Sequence, residues 1–327
     1  MALSPALSIP RGARGLLVRG DNLALLAALR AGSVDLIVTD PPFFSGRTRS
    51  GAVPHHSAAR SGAAPQRGRA RIGAPARCSS LSFDDRWGTI GEYLAFLAPR
   101  LQRMRLLLKA TGSLVVHLDY HAVHEVKLLM DGIFGRDRFV NEIIWHYTGG
   151  GRSKRYFSRK HDTLLWYARG RRWTFNLDAM RVPYHPRSGY ARGGIVSRSG
   201  KRYLPHPEGT PVDDVWNIPI VNPLAGERCG YPAQKPERLL ERVILALSRP
   251  GDLVLDPFCG SGTTAVCAAR LGRRWIAGDI SPRAVAIARR RLRRACGENG
   301  FREEILRPPR GGSGSAPRWR GGGEKRS

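Results

Sequence analysis

Leu253-Val254-Leu255-Asp256-Pro257-Phe258-Cys259-Gly260-Ser261-Gly262-Thr263-Thr264 is the stretch on which the fold turns. Three apolar residues read as a short buried strand. Asp-Pro stops it, and two glycines then let backbone N–H groups approach a ligand closely. A helix is predicted from Thr263 to about Leu271, closed by Gly272, and Trp275 to Ala277 returns as a strand with Asp279 just past its end. Strand, glycine loop, helix and strand form one unit of a parallel sheet covered by helices. Ser281-Pro282 opens a further helix carrying six arginines between Arg283 and Arg294. Upstream, Pro236 begins a helix whose Leu239, Leu240, Val243, Ile244 and Leu247 share one face before Pro250-Gly251 stops it.

The same alternation continues toward the N-terminus. Asp21 can cap a helix carrying Leu23, Leu26 and Leu29, and Gly32 precedes the strand Val34 to Val38, which delivers Asp40 at its end. Thr89-Ile90-Gly91-Glu92 has capping-box spacing and opens a helix that Pro99 is expected to kink or divide. Leu114 to Leu118 reads as a strand, His121 to Met130 as a helix, and Val140 to His146 and Leu164 to Tyr167 as strands. Gly46 to Ser82 has seven arginines and no acid, the composition of a mobile loop. Residues 1–15 and 298–327 read as a flexible tail and a disordered basic tail.

The 327 residues carry 54 Lys and Arg against 26 Asp and Glu, a formal charge of +28 and a pI near 11.2. A polyanionic partner is the natural inference, since phosphate neutralisation dominates non-specific nucleic-acid affinity; solvated basic faces are the bland alternative. Five cysteines without CxxC spacing suggest neither a disulfide framework nor a zinc site, no metal is expected, and a cytoplasmic, reducing location fits. No apolar run approaches the roughly 20 residues of a membrane span.

Thr39-Asp40-Pro41-Pro42-Phe43 is the second chemical motif. A carboxylate, a proline-stiffened carbonyl and an aromatic face within four residues suit the holding of a planar base by its amino group. Taken alone, Gly260-Ser-Gly262-Thr-Thr-Ala265 also satisfies a dinucleotide-binding G-x-G-x-x-A, with Asp279 at a suitable interval for a ribose. The prefix Asp256-Pro257-Phe258 shifts the balance. With the two motifs in this order, the chain resembles the S-adenosylmethionine-dependent DNA amino-methyltransferases, adenine-N6 and cytosine-N4, in their circularly permuted beta group. That resemblance implies a doubly wound α/β fold with a mostly parallel seven-stranded sheet and a target-recognition insertion.

By the same resemblance Asp40, Pro41, Pro42 and Phe43 are catalytic. Asp40 and the Pro41 carbonyl would accept the two N–H bonds of the target amino group while Phe43 stacks on the base, which must be extruded from the duplex. Phe258, Gly260, Gly262 and Thr263 would shape the pocket for the methionine part of S-adenosylmethionine, Asp256 would face its cationic sulfonium end or its amino group, and Asp279 would take the ribose. Asp21 is a candidate for the cofactor's adenine, with a plain helix cap as its other reading. Gln234 and Lys235, in Tyr231-Pro-Ala-Gln-Lys-Pro236, belong to a segment that wraps the cofactor, or Lys235 merely starts a helix. His117 and Asp119 read as a structural pair.

The expected divisions are a catalytic half (16–148, with a mobile loop at 46–82), a target-recognition region (149–228) that includes one core strand, and a cofactor half (229–297). From Arg152 to Arg202 there are 14 Lys and Arg against two acids, interleaved with aromatics. Arg152, Lys154, Arg155, Arg171, Arg172 and Arg187 are the candidates for phosphate contacts with double-stranded DNA. Asp before Pro-Pro usually accompanies adenine-N6 activity in the relatives, and Ser cytosine-N4, so adenine is expected. A cognate restriction endonuclease, and a monomer or homodimer, fit the resemblance. Cytosine-N4 or RNA methylation, or a catalytically silent nucleic-acid-binding protein, are the alternatives.

Overall fold

Apolar residues that alternate along a strand point to opposite faces of a sheet, and a chain with two such faces must cover both. The computed structural model describes residues 7–46, 48–52, 80–84, 86–149 and 151–306. In chain order the elements are β1 (Gly15–Arg19), α1 (Asn22–Ala28), β2 (Val34–Thr39), β3 (Thr48–Ala52), β4 (Ser80–Asp84), α2 (Ile90–Leu107) and β5 (Leu108–Leu118). There follow α3 (Val123–Phe134), β6 (Phe139–His146), β7 (His161–Ala168), α4 (Gly189–Gly193), β8 (Ile195–Val196), β9 (Arg202–Tyr203) and β10 (Val215–Asn217). The last are α5 (Glu237–Leu247), β11 (Leu253–Asp256), α6 (Thr263–Arg270), β12 (Arg274–Asp279), α7 (Pro282–Cys296) and β13 (Phe301–Ile305).

The main sheet has nine strands in the order β10-β6-β7-β5-β2-β11-β12-β1-β13. All pair in parallel except β7, which runs antiparallel to both β5 and β6. Seven of them, from β6 to β1, make up the anticipated sheet, and β10 and β13 extend its two edges. The C-terminal strands β11 and β12 stand between the N-terminal β1 and β2, so the two ends of the chain build one continuous sheet.

Strand residues divide by parity. Leu17, Leu36, Val38, Val115 and Val254 pack with the apolar faces of α5, α6 and α7. Leu16, Val18, Ile37, Leu114, Val116, Leu253 and Leu255 pack with α1, α2 and α3. The result is a helix–sheet–helix sandwich whose strand ends carry the loops.

Several local expectations are realised. Asp21 caps α1, its Oδ1 accepting from the N–H of Leu23 (2.9 Å) and Ala24 (3.2 Å), and Thr89 Oγ1 accepts from Glu92 N (3.2 Å). Others are corrected. Pro99 does not divide its helix into two elements: α2 is continuous through it, because Tyr93 and Leu97 before it and Leu101, Met104 and Leu107 after it are buried in one core. Residues 7–15 are not a loose tail, since Leu7 N bonds Ala28 O (2.8 Å) and Leu7 and Ile9 pack on the core. The stretch 298–306 is likewise structured: β13 pairs in parallel with β1 and buries Phe301 against Trp275. The segment 149–228, expected to include one core strand, holds two strands of the main sheet, β7 and β10. Within the expected mobile loop 46–82, β3 and the start of β4 form an antiparallel pair; residues 53–79 of that loop and the tail beyond 306 lie outside the described residues. Among the described residues no helix is long and apolar enough to cross a membrane.

Candidate active site

In an open parallel sheet the carboxyl ends of the strands point their loops to one edge, and ligands bind in the crevice there. This edge gathers acids. Asp40 follows β2, Asp119 follows β5, Asp256 ends β11 and Asp279 ends β12. Because β7 is antiparallel, it contributes its beginning, His161 and Asp162, to the same edge. The β2–β5 register, with Thr39 opposite Val116, sets Asp40 beside His117.

Asp40 is bound on both oxygens. Oδ1 lies 2.7 Å from His117 Nδ1, and Oδ2 accepts from the Lys235 ammonium. His117 Nε2 lies 3.2 Å from Asp162 Oδ2, and Tyr147 donates its hydroxyl to Asp162 Oδ1 (3.2 Å). Burial alone would raise the Asp40 pKa, but the charges and hydrogen bonds of Lys235 and His117 outweigh it and bring it down to about 2. It is therefore an ionised, acceptor-only group at neutral pH. Desolvation and Lys235 oppose a proton on His117, yet its two carboxylates prevail and raise its pKa. The Phe43 ring is buried, 5.4 Å from the His117 ring, with Lys235 Nζ 5.2 Å from its centroid. Trp87 anchors the same turn by donating to Phe43 O (3.2 Å).

One strand over, the glycine loop turns tightly between β11 and α6. Gly260 and Gly262 have φ of 49° and 77°, in the left-handed region. A Cβ on Gly260 would stand 2.9 Å from the Tyr231 ring, and one on Gly262 would stand 2.8 Å from Ala288 Cβ. Asp256 is buried, and its pKa is pushed up to about 7, chiefly by desolvation, although Thr264 and the Phe258 N–H (3.1 Å) hold its carboxylate. Asp279 accepts from Gly260 N (2.9 Å) and Ser281 N (2.8 Å), and burial raises its pKa. Two desolvated carboxylates flanking two glycines that admit no side chain form a site suited to a cation with hydroxyl donors.

The N6/N4 methyltransferase family model, described as DNA methylase, matches residues 34–290. The chain belongs to the N6/N4 DNA methylase family. It is 28% identical over 278 residues to the DNA adenine methyltransferase YhdJ of Escherichia coli K12, covering 84% of this chain and 82% of that one. Among solved structures it resembles the cytosine-N4-specific PvuII DNA methyltransferase, with a TM-score of 0.57 and 19% identity over 89% of this chain and 95% of that one. It also resembles TTHA0409 of Thermus thermophilus complexed with S-adenosyl-L-methionine, with a TM-score of 0.53 and 22% identity over 89% and 98% of the two chains. These structures share the mixed α/β fold with its large, mostly parallel sheet.

The remaining residues of this DNA methylase divide into those at the crevice and those turned from it. Asp21 lies just past β1, whose Arg19 pairs with Asp279, and caps α1 with one oxygen while Arg100 stands 3.6 Å from the other. Phe258 is part-buried against Phe96, at 6.2 Å between ring centroids. Gln234 folds back on its own loop, donating to Glu227 O (2.8 Å) and accepting from Cys229 N (2.9 Å). Thr263 is buried and accepts from Arg291 (2.8 Å). Lys235, expected among the cofactor's neighbours, bonds the Asp40 carboxylate.

The basic candidates separate by edge. Arg152, Lys154 and Arg155 are exposed in the β6–β7 loop, at the same edge as Asp40. Beside them Phe157 is fully exposed, and Arg159 lies over the rings of Tyr120 (4.0 Å) and Tyr156 (4.7 Å). Arg171 and Arg172 follow the other end of β7, where Arg169 N bonds Gly112 O (2.9 Å) and Thr174 N bonds Thr111 O (3.3 Å). That is the edge opposite Asp40. The segment carrying Arg187 also leaves from and returns to this far edge: Asn176 is tied to the C-terminal end of α5, and Ile144 N bonds Asp214 O (2.8 Å) at the start of β10.

Sequence reading missed the partnership of His117 and Asp162 with Asp40. It paired His117 with Asp119, but Asp119 accepts from the backbone N–H of His121 (3.0 Å) and meets its ring. Charged residues at the ends of neighbouring strands were the available signal.

Proposed function

We propose that this DNA methylase transfers the methyl group of S-adenosylmethionine to the N6 amino group of adenine in double-stranded DNA, on a base extruded from the helix. The observation that carries the reading is Asp40: a carboxylate at the end of a central strand, kept ionised to about pH 2, on a turn stiffened by Pro41 and Pro42 and floored by Phe43. An exocyclic amino group is a weak nucleophile because its lone pair is delocalised into the ring. Two acceptors, the Asp40 carboxylate and the Pro41 carbonyl, would draw its N–H bonds toward tetrahedral geometry and free that pair. The same carboxylate can take the proton that the nitrogen sheds after gaining a methyl, since addition of a methyl to the intact amino group leaves a cationic nitrogen that is a far stronger acid than a carboxylic acid.

The residues fit the cofactor. Asp256 and Asp279 offer carboxylates to its cationic end and its ribose, and the glycines admit its methionine part beside Phe258 and Tyr231. When bound, S-adenosylmethionine supplies an electrophilic methyl and departs as a neutral thioether. The sulfonium charge would also favour ionised Asp256, whose pKa near 7 otherwise leaves it partly protonated. Base extrusion costs a few kcal/mol in unstacking, which phosphate contacts near the pocket must offset. Arg152, Lys154 and Arg155 are the candidates.

Adenine is favoured by Asp40 and by the likeness to an adenine methyltransferase; the shared fold with a cytosine-N4 enzyme favours the second reading. Incubation of unmethylated phage DNA with the protein and S-adenosylmethionine, then nucleoside analysis by mass spectrometry, decides between them. N6-methyladenine is expected. N4-methylcytosine alone would overturn the assignment of the base, and modification of RNA alone would overturn the substrate.

A further inference from the structure

We propose that His117 is a positioning residue for the transfer: held as an imidazolium between Asp40 and Asp162, it determines which oxygen of the Asp40 carboxylate meets the target amino group. This rests on the reading of Asp40 given above. The number of ring protons decides the state. A neutral imidazole has one N–H and one lone pair, whereas an imidazolium donates from both nitrogens. His117 faces a carboxylate oxygen on each side, at 2.7 Å from Nδ1 and 3.2 Å from Nε2. A neutral ring would turn a lone pair toward one of these anions at hydrogen-bond distance, which is repulsive, so only the charged ring satisfies both contacts.

Every charged group that faces the ring supports or limits this state. Asp40 approaches from the end of β2 and Asp162 from the start of β7. Lys235 approaches from the segment before α5 and opposes a second positive charge. Asp119 and His121, beyond β5, are engaged with each other. Two carboxylates and two cations leave the cluster without net charge. The rings of Phe43 and Trp145, with centroids 5.4 and 5.6 Å from that of His117, exclude water and strengthen the electrostatics.

Depth assigns the role. The His117 side chain is 5% exposed and that of Asp40 31%, so the histidine stands behind the carboxylate and not in front of it. By engaging Oδ1 it fixes the carboxylate plane and leaves Oδ2 to Lys235. The incoming amino group must share or displace the lysine at Oδ2. Loss of the His117 proton would release one of the two carboxylates, free Asp40 to rotate and slow the transfer, while the cofactor loop, on the other side of β2, is untouched.

The test combines a titration with kinetics on the full-length protein. Histidine ring nitrogens, isotope-labelled and assigned with His117→Gln, report the charge state by NMR; both nitrogens of His117 should be protonated at pH 7, and Asp40→Asn should lower the midpoint. Methyl incorporation into phage DNA at saturating S-adenosylmethionine, followed from about pH 6 to 10, should decline on the alkaline side with that same midpoint. His117→Gln should be at least about ten-fold slower in kcat and lack the alkaline limb, with cofactor affinity within about two-fold. A neutral His117 at pH 7 overturns the proposal, as does a Gln variant that keeps the wild-type rate and limb, or one whose cofactor affinity falls in step with its rate. A wild-type protein that methylates neither DNA nor RNA defeats the proposed function; a methylating protein with a neutral His117 defeats this inference alone.

Discussion

Asp40 and Asp256 are the same residue type at the ends of adjacent strands, and their surroundings drive them in opposite directions. Asp40 has Lys235 and His117 and stays ionised; Asp256 is buried with neutral donors and other acids nearby and holds its proton to about pH 7. Replacement of Asp40 by Ala removes the proposed acceptor for the target amino group and should lower the methylation rate at least about 100-fold, with cofactor affinity in calorimetry nearly unchanged. Asp256 predicts a pH effect on stability. Its folded pKa lies above the ordinary 3.8, so the folded state binds the proton more tightly between about pH 4 and 7, and stability must fall as pH rises through that window. Asp256→Asn has no proton to lose and should remove that component of the slope, on the order of a few kcal/mol, measured by denaturant unfolding at pH 5 and 8.

Each element is informative about the site through the strand end it supplies. The antiparallel β7 brings Asp162 to the edge that carries Asp40, and it carries Arg171 and Arg172 away from it. At the outer edge, β13 completes the sheet with one buried residue, Phe301, packed on Trp275. Composition there reads as a tail, because Arg302, Glu303 and Glu304 are exposed and polar and only one position is apolar and buried. Phe301→Ala should cost about 3 to 5 kcal/mol, the range for a large aromatic removed from a core, and lower the melting temperature by several degrees. An unchanged melting temperature would mean that β13 contributes nothing to stability.

At the scale of the whole molecule the charge of +28 is an attraction to polyanions without an address, and its use depends on which edge carries it. The β6–β7 loop places Arg152, Lys154 and Arg155 at the crevice, whereas Arg171 and Arg172 sit across the sheet. Substitution of the first three by Gln should reduce the slope of log affinity for DNA against log salt by up to about 3, near 1 for each phosphate no longer neutralised. Substitution of Arg171 and Arg172 should leave the slope and the methylation rate close to wild type. Equal effects from the two sets would show that the edges do not differ in their use.

By itself the sequence determined the elements and the chemistry of each motif: apolar periodicity, caps and glycine positions are local, and local preference prevails wherever packing agrees with it. Asp21 and Thr89 cap as their spacing predicts, and the loop of Gly260 and Gly262 follows its strand as read. The tertiary structure alone decided partnerships. His117 and Lys235 reach Asp40 from positions 77 and 195 residues away, and Asp162 reaches His117 from 45 residues away, over contacts set by strand order and register. It also decided that α2 runs on through Pro99 and that β13 is a strand, since burial against distant residues there outweighs the local signal. Pairing across a sheet is a property of the assembled strands, and no single segment encodes it.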